Sequence, residues 1–240
     1  YHLKFLKFIE KLRHNKMKRT ILIISLFIFT CSCQKDAFRS FGQSDIDIVS
    51  EIHAKTAKEI AEALTIKLYK INPKELAKNK QHKSVSSVII DIFSNKEIDI
   101  DSTGEKNIKL ILDGFDQDSD IDRIYYTMKG LYGMIRASYN YKTEFYLTDK
   151  KLDAQKLYNS ARNIEVFVWR LSNTKDKMDN LLIKTNNMQK GHINLSFERL
   201  FGKLIANQDI ISKSIASQEG RAIQKVAKSI ASAIFLPIGL

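Results

Sequence analysis

Apolar residues in this chain recur at helical spacing over most of its length, and no period-2 run of useful strand length is present. Ile46, Val49, Ile52, Ile60, Leu64, Leu68 and Ile71 form the first series. Ser44, with Asp47 three residues on, approximates a capping box; Asp45 suits the positive end of the helix dipole, and Pro73 stops the helix. A shorter helix is predicted from Ser84 to Phe93, with Val85, Val88, Ile89 and Ile92 inward. The stretch Asn95 to Asp118 is polar and carries Gly104 and Gly114, so it reads as loops around a short apolar segment, Ile108 to Leu112.

The next predicted helix covers Asp120 to Leu147, with Ile124, Met128, Leu131, Ile135 and Tyr139 as its stripe, widened by Tyr125 and Tyr132. Thr148-Asp149 then caps a long helix to about Gln189, ended by Gly191. Its inward set is Ala154, Leu157, Ala161, Ile164, Val168, Leu171, Met178, Leu181 and Leu182, with Phe167 and Trp169 as packing residues. A last helix starts near Asn194 and reaches Phe235, turning Leu200, Leu204, Ile211, Ile215, Ala222, Val226 and Ile230 inward before Pro237. Short connections between long helices imply antiparallel neighbours. The expected fold is all-α: an antiparallel helical bundle of four to five long helices with short connecting helices, over residues 44–240. Gly and Pro are scarce enough (9 and 2 in 240) to leave those helices uninterrupted.

The run ahead of the bundle has another character. Lys18 and Arg19 precede nine apolar residues or near-apolar residues, Ile21 to Phe29, and then Thr30-Cys31-Ser32-Cys33. Nine helical residues cover about 14 Å, roughly half of a ~30 Å hydrocarbon core, so the run is too short to span a membrane but suits the centre of an export signal. A small residue followed by cysteine is the pattern of a lipid-attachment site. Ser32 favours Cys33 as the lipidated residue; Cys31 remains an alternative. The chain then divides into an upstream translated segment (1–16), a lipoprotein signal peptide (17–32), a lipid-anchored tether (33–43) and the bundle (44–240). No cysteine follows Cys33, which excludes disulfides and cysteine-based zinc sites in the folded part.

The formal charge of +12 is unevenly spread. Residues 34–122 carry 13 basic and 17 acidic residues, whereas residues 123–240 carry 19 basic and nine acidic residues, a net +10. Such a basic half attracts polyanions: nucleic acid, sulfated glycans or anionic headgroups. Lys156, Arg170, Lys177 and Lys184 share a seven-residue phase, with Asn163 in the missing place. On one continuous helix they form a row of about 42 Å, drifting about 20° per heptad. Lys150, Lys151 and Arg162 flank the row, and Arg221, Lys225 and Lys228 share a face of the last helix. A second mixture of cation and aromatic, Arg136, Tyr139, Tyr141, Lys142 and Tyr146, lies nearby. The bland alternative is a solvated face interleaved with Glu165, Asp176 and Asp179. No recognition-helix motif is present, so binding is expected to be sequence-independent and weakened by salt.

Other chemistry finds little support. Asp116 to Asp122 resembles a calcium loop, but Ile121 stands where glycine is needed and Thr127 where a bidentate glutamate is needed. An acidic helix N-terminus is the simpler reading. His53, His82 and His192 have no partner at ligand spacing. No Gly-rich phosphate loop or nucleophile signature occurs, so a non-enzymatic role with no cofactor or metal is expected.

The signal Met17-Lys-Arg-Thr-Ile-Leu-Ile-Ile-Ser-Leu-Phe-Ile-Phe-Thr-Cys-Ser-Cys33 resembles those of outer-surface lipoproteins of Lyme disease spirochaetes (Borrelia). The Lys/Ile/Asn-rich composition agrees, and Ser44-Asp-Ile-Asp-Ile-Val-Ser-Glu-Ile-His53 resembles the start of the mature domain in their paralogous family twelve. The resemblance implies an outer-membrane, lipid-anchored, cell-surface protein with an α-helical domain, possible pairing into a homodimer, and non-specific DNA binding. It supplies no site residues. Competing expectations are an adhesin or immune-evasion protein that binds a host protein through an apolar patch, and a structural protein whose last helix pairs two subunits through Ile211, Ile215, Ala222, Val226 and Ile230.

Overall fold

A computed structural model describes residues 42–94, 103–185, 188–189, 192–193, 195–224 and 233–239. The export signal, Cys33 and most of the tether lie outside the described residues, as do Lys225 and Lys228. Gly42–Ser44 and Tyr146–Thr148 belong to one unit, in which the Leu147 N–H donates to the Gly42 carbonyl at 2.9 Å. The larger unit, Asp45–Phe145 with Asp149–Leu240, holds the seven helices of the described residues. They are α1 (Asp45–Ile71), α2 (Pro73–Lys78), α3 (Val85–Phe93), α4 (Glu105–Gly114), α5 (Arg123–Ser138), α6 (Ala154–Asn173) and α7 (Ser196–Glu219). The unit is all-α, with four long helices and three short ones packed against one another. Extended pairing among the described residues is confined to a two-residue ladder, Met188–Gln189 with His192–Ile193, and a Lys175–Leu181 bridge.

Side-chain bonds fix the helix directions. Lys67 on α1 reaches Ser196 at the start of α7, while His53 reaches Asn207 farther along, so α1 and α7 are antiparallel. Ser212 bonds the Ala154 carbonyl and Phe167 packs on Phe201, which sets α6 antiparallel to α7. Between these helices lie Leu64, Leu68, Ile124, Met128, Leu131, Leu157, Ile164, Phe167, Leu204 and Ile211, all buried. Each such burial contributes about 1.5–3 kcal/mol relative to exposure. Asp122 ties three helices together. Its carboxylate caps α5 through the Tyr125 N–H and accepts bonds from Tyr69 (2.7 Å) and Asn79 (2.9 Å). Burial raises the Asp122 carboxyl above its ordinary range, although these three donors pull it the other way.

Several sequence expectations need correction. Ile52 is 58% exposed; Ala57, Ala61 and Thr65 take the inner face of α1 instead, because small side chains permit close approach. Glu105–Gly114 is a helix and not loop: Ile108 and Ile111 already had the right spacing, and Gly104, in the left-handed region at φ 74°, starts the turn into it. The helix predicted to reach Leu147 stops at Ser138, where Asn140 and Tyr141 turn with positive φ and the Tyr141 N–H takes the Arg136 carbonyl. The helix predicted to reach Gln189 starts at the Asp153 cap and ends at Asn173. Beyond it Asp176 accepts the Met178 and Asn180 N–H groups, a side-chain turn that competes with helix, and Asp179 takes positive φ. Met178, expected inward, is 80% exposed. The last helix ends at Glu219, with Gly220 left-handed and the Arg221 N–H on the Ala216 carbonyl. Phe167 is buried as expected, but Trp169 is 41% exposed. Ile211 and Ile215 are buried within this chain's own core, so they cannot serve a subunit contact as well.

Candidate polyanion interface

The basic row does not form. Its phase needs one helix from Lys156 to Lys184, and α6 stops at Asn173. Lys177 lies in the following turn, 2.6 Å from Asp118; that pairing lowers the Asp118 pKa and raises that of Lys177. Lys184 is exposed elsewhere, its backbone bracketed by the Asn72 amide. Nor does the α6 face carrying Asn163 and Arg170 look into solvent. It is the bed of the C-terminal segment. Asn163 bonds both backbone groups of Leu236, Asn159 bonds the Pro237 carbonyl, and Arg170 donates to the Ala233 carbonyl at 2.9 Å. The Arg170 guanidinium lies over the Phe235 ring, and burial lowers its pKa. Arg162 is neutralised by Glu165 (2.9 Å) and Asp209 (2.8 Å).

What the fold does assemble is the start of α6 beside the end of α7. Ser212 Oγ donates to the Ala154 carbonyl at 2.8 Å, which sets the neighbouring Lys213 at the α6 N-terminus. The Gln155 amide brackets Gln224, donating to its carbonyl at 3.1 Å and accepting its N–H at 2.9 Å. This holds the chain just after Arg221 against the same end. Lys150, Lys151, Lys156, Lys213 and Arg221 therefore share one end of the helix pair. Lys150, Lys151, Lys213 and Arg221 are exposed and Lys156 is half-buried. The first four lysines have no ion-pair partner among the described residues.

The acids at this end are already engaged. Asp149 pairs with Lys142, and Asp153 accepts the Gln155 N–H as the α6 cap. Glu219 has a largely buried side chain 3.5 Å from Arg221. Lysines held a few residues apart at the surface, with no neutralising acid, produce a field that salt screens over about 8–10 Å. Lys150, Lys151, Lys156 and Arg221 were legible as candidates. Lys213 was not, because a single lysine on α7 carries no pattern; only the Ser212–Ala154 bond places it. The tyrosine-rich mixture resolves differently: Tyr139 is buried, Lys142 is paired with Asp149, and Arg136 lies between the Tyr132 and Tyr141 rings. The loop preceding α5 holds no calcium geometry, since the Arg123 guanidinium occupies the carbonyls of Gly114, Asp116, Gln117 and Ser119. Among the described residues no helix is long and apolar enough to cross a membrane. Comparison with protein-family models, with curated proteins and with solved structures finds no match.

Proposed function

We propose that this chain is a non-enzymatic, lipid-anchored surface protein whose helical domain binds anionic polymers, chiefly DNA, without sequence preference. The observation that carries the reading is that Lys150, Lys151, Lys156 and Lys213, at one end of the α6–α7 pair, have no ion-pair partners among the described residues, with Arg221 at the same end. Duplex DNA presents one charge per ~1.7 Å of axis, so a patch of four or five cations meets several phosphates at once and needs no base contact. The export-signal pattern ending at Cys33 supports attachment to a membrane surface by acyl chains, and so an outer-membrane location. The proposed interface differs in position from the helix-long row expected from the heptad phase.

Gel-shift titration of residues 34–240 on unrelated duplexes tests the reading. Similar affinity for all of them at low salt, lost steeply as salt rises, is the expected result. Absence of binding at low salt ends the proposal. A serum pull-down that resists high salt would favour the host-protein alternative.

A further inference from the structure

A groove of about 750 Å³ lies among α3, α4 and α5, away from the lysine cluster. That volume is in the range of about 300–1,000 Å³ typical of small-molecule sites. Ile90, 66% exposed, and Leu110 give it an apolar side. Tyr132 lines it with its ring packed 4.6 Å from that of Phe93. Lys106, Lys129 and Arg136 are its cations, and Asp91 is the acid that lines it.

One oxygen of that acid is engaged. Asp91 Oδ2 accepts the Tyr125 hydroxyl at 2.7 Å and the Lys129 ammonium at 3.1 Å, and His82 Nε2 stands 3.6 Å away. Lys129 in turn is 2.6 Å from the Tyr125 oxygen, so its ammonium is fixed at the groove wall. Arg136 is held more firmly still. Its guanidinium lies 5.9 Å from the Tyr132 ring centroid and 5.7 Å from that of Tyr141, and Nη2 donates to the Tyr141 carbonyl at 3.0 Å. Its Nε is buried without a partner, and Nη1 makes no hydrogen bond among the described residues. A cation immobilised by two rings and a carbonyl, with a donor left over, has already lost the side-chain freedom that anion binding would otherwise cost.

We propose that this groove binds a small organic anion: an apolar body against Ile90, Leu110 and Tyr132, with a single carboxylate, sulfonate or phosphate head on Arg136. The apolar side makes a purely ionic ligand a poor fit, and the fixed Arg136 guanidinium favours an anionic ligand over a neutral one of the same shape.

The full chain titrated with 8-anilinonaphthalene-1-sulfonate, and in parallel with the neutral N-phenyl-1-naphthylamine, tests this by fluorescence. Saturation at one sulfonate per chain is expected. Arg136→Gln should weaken the sulfonate at least tenfold and the neutral amine less than twofold. Because Arg136 also supports the Tyr141 turn, a second pair of variants guards against misfolding. Ile90→Glu should bind the sulfonate at least tenfold more weakly than Ile90→Gln, with the neutral amine equal in both. Trp169→Ala, altering an exposed apolar residue outside the groove, should change nothing. Wild-type sulfonate binding in Arg136→Gln, equal binding by the two Ile90 variants, or equal losses for the two dyes would each overturn the proposal.

Discussion

Asn163 and Leu236 are joined as two strand residues would be: the Asn163 amide donates to the Leu236 carbonyl at 2.8 Å and accepts its N–H at 2.6 Å. Asn163 is fully buried, so one side chain supplies what a neighbouring strand would supply for an extended segment that lies on a helix. The device recurs. Gln155 brackets Gln224, and Asn72 brackets Lys184 with bonds of 2.8 and 2.9 Å. The irregular segments after α6 and α7 are thus fastened to α6 and to the α1–α2 junction by amide side chains.

Replacing the bracket should show its worth. Asn163→Ala leaves both Leu236 groups without partners, a cost of about 2–3 kcal/mol. Gln155→Ala acts at an exposed bond pair where water substitutes, so its cost is below about 1 kcal/mol. Urea midpoints of the two variants check this; equal midpoints would show that the Leu236 bonds carry no stability.

Gly130 is a point of close backbone approach between α4 and α5. A Cβ built there would stand 2.5 Å from the Asn107 carbonyl oxygen and 2.8 Å from the Ile111 nitrogen, both backbone atoms that no rotamer change can move. Gly130→Ala is therefore expected to destabilise by about 2–3 kcal/mol through overpacking. Gly202→Ala, with nothing near its Cβ, should stabilise α7 slightly. Thermal melts of both variants give the comparison, and a neutral Gly130→Ala would contradict the packing.

Asp91 gives a pH dependence of known sign. Burial would raise its carboxyl, but the Tyr125 and Lys129 hydrogen bonds outweigh burial and hold it below the usual 3.8. A depressed folded-state pKa contributes stability that is present above 3.8 and lost as pH falls through the lower folded value. Asp91→Asn should thus be less stable than wild type near neutral pH, with the gap closing below about pH 4. Urea denaturation at pH 7, 5 and 3 measures the gap; a constant gap would remove the ionic contribution.

The cores of α1, α3 and α5 could be read from the chain because Leu64, Leu68, Val88, Ile124, Met128 and Leu131 repeat at helical spacing and are buried at that spacing. The ends were harder. Apolar periodicity continues past Asn173, but Asp176 captures two backbone N–H groups, and a local side-chain bond leaves no mark on hydrophobic phase. The candidate interface suffered most from this, since its heptad row assumed an unbroken helix. That Asn163, the gap in the row, is the bracket for Leu236 shows why the face was not a solvated one. The placing of Lys213 and Arg221 at the α6 start depends on Ser212 and Gln155, contacts between residues more than fifty positions apart.

The slope of log affinity against log salt for duplex binding tests the polyanion account most directly. Each phosphate contact contributes about 0.9 to that slope. Replacing Lys150, Lys151, Lys156 and Lys213 together by glutamine should lower its magnitude by about 3–4, while replacing Lys177 and Lys184 should leave it unchanged. Equal slopes for the two variants, or a fall confined to the Lys177 and Lys184 variant, would contradict the assignment of DNA to the α6–α7 end.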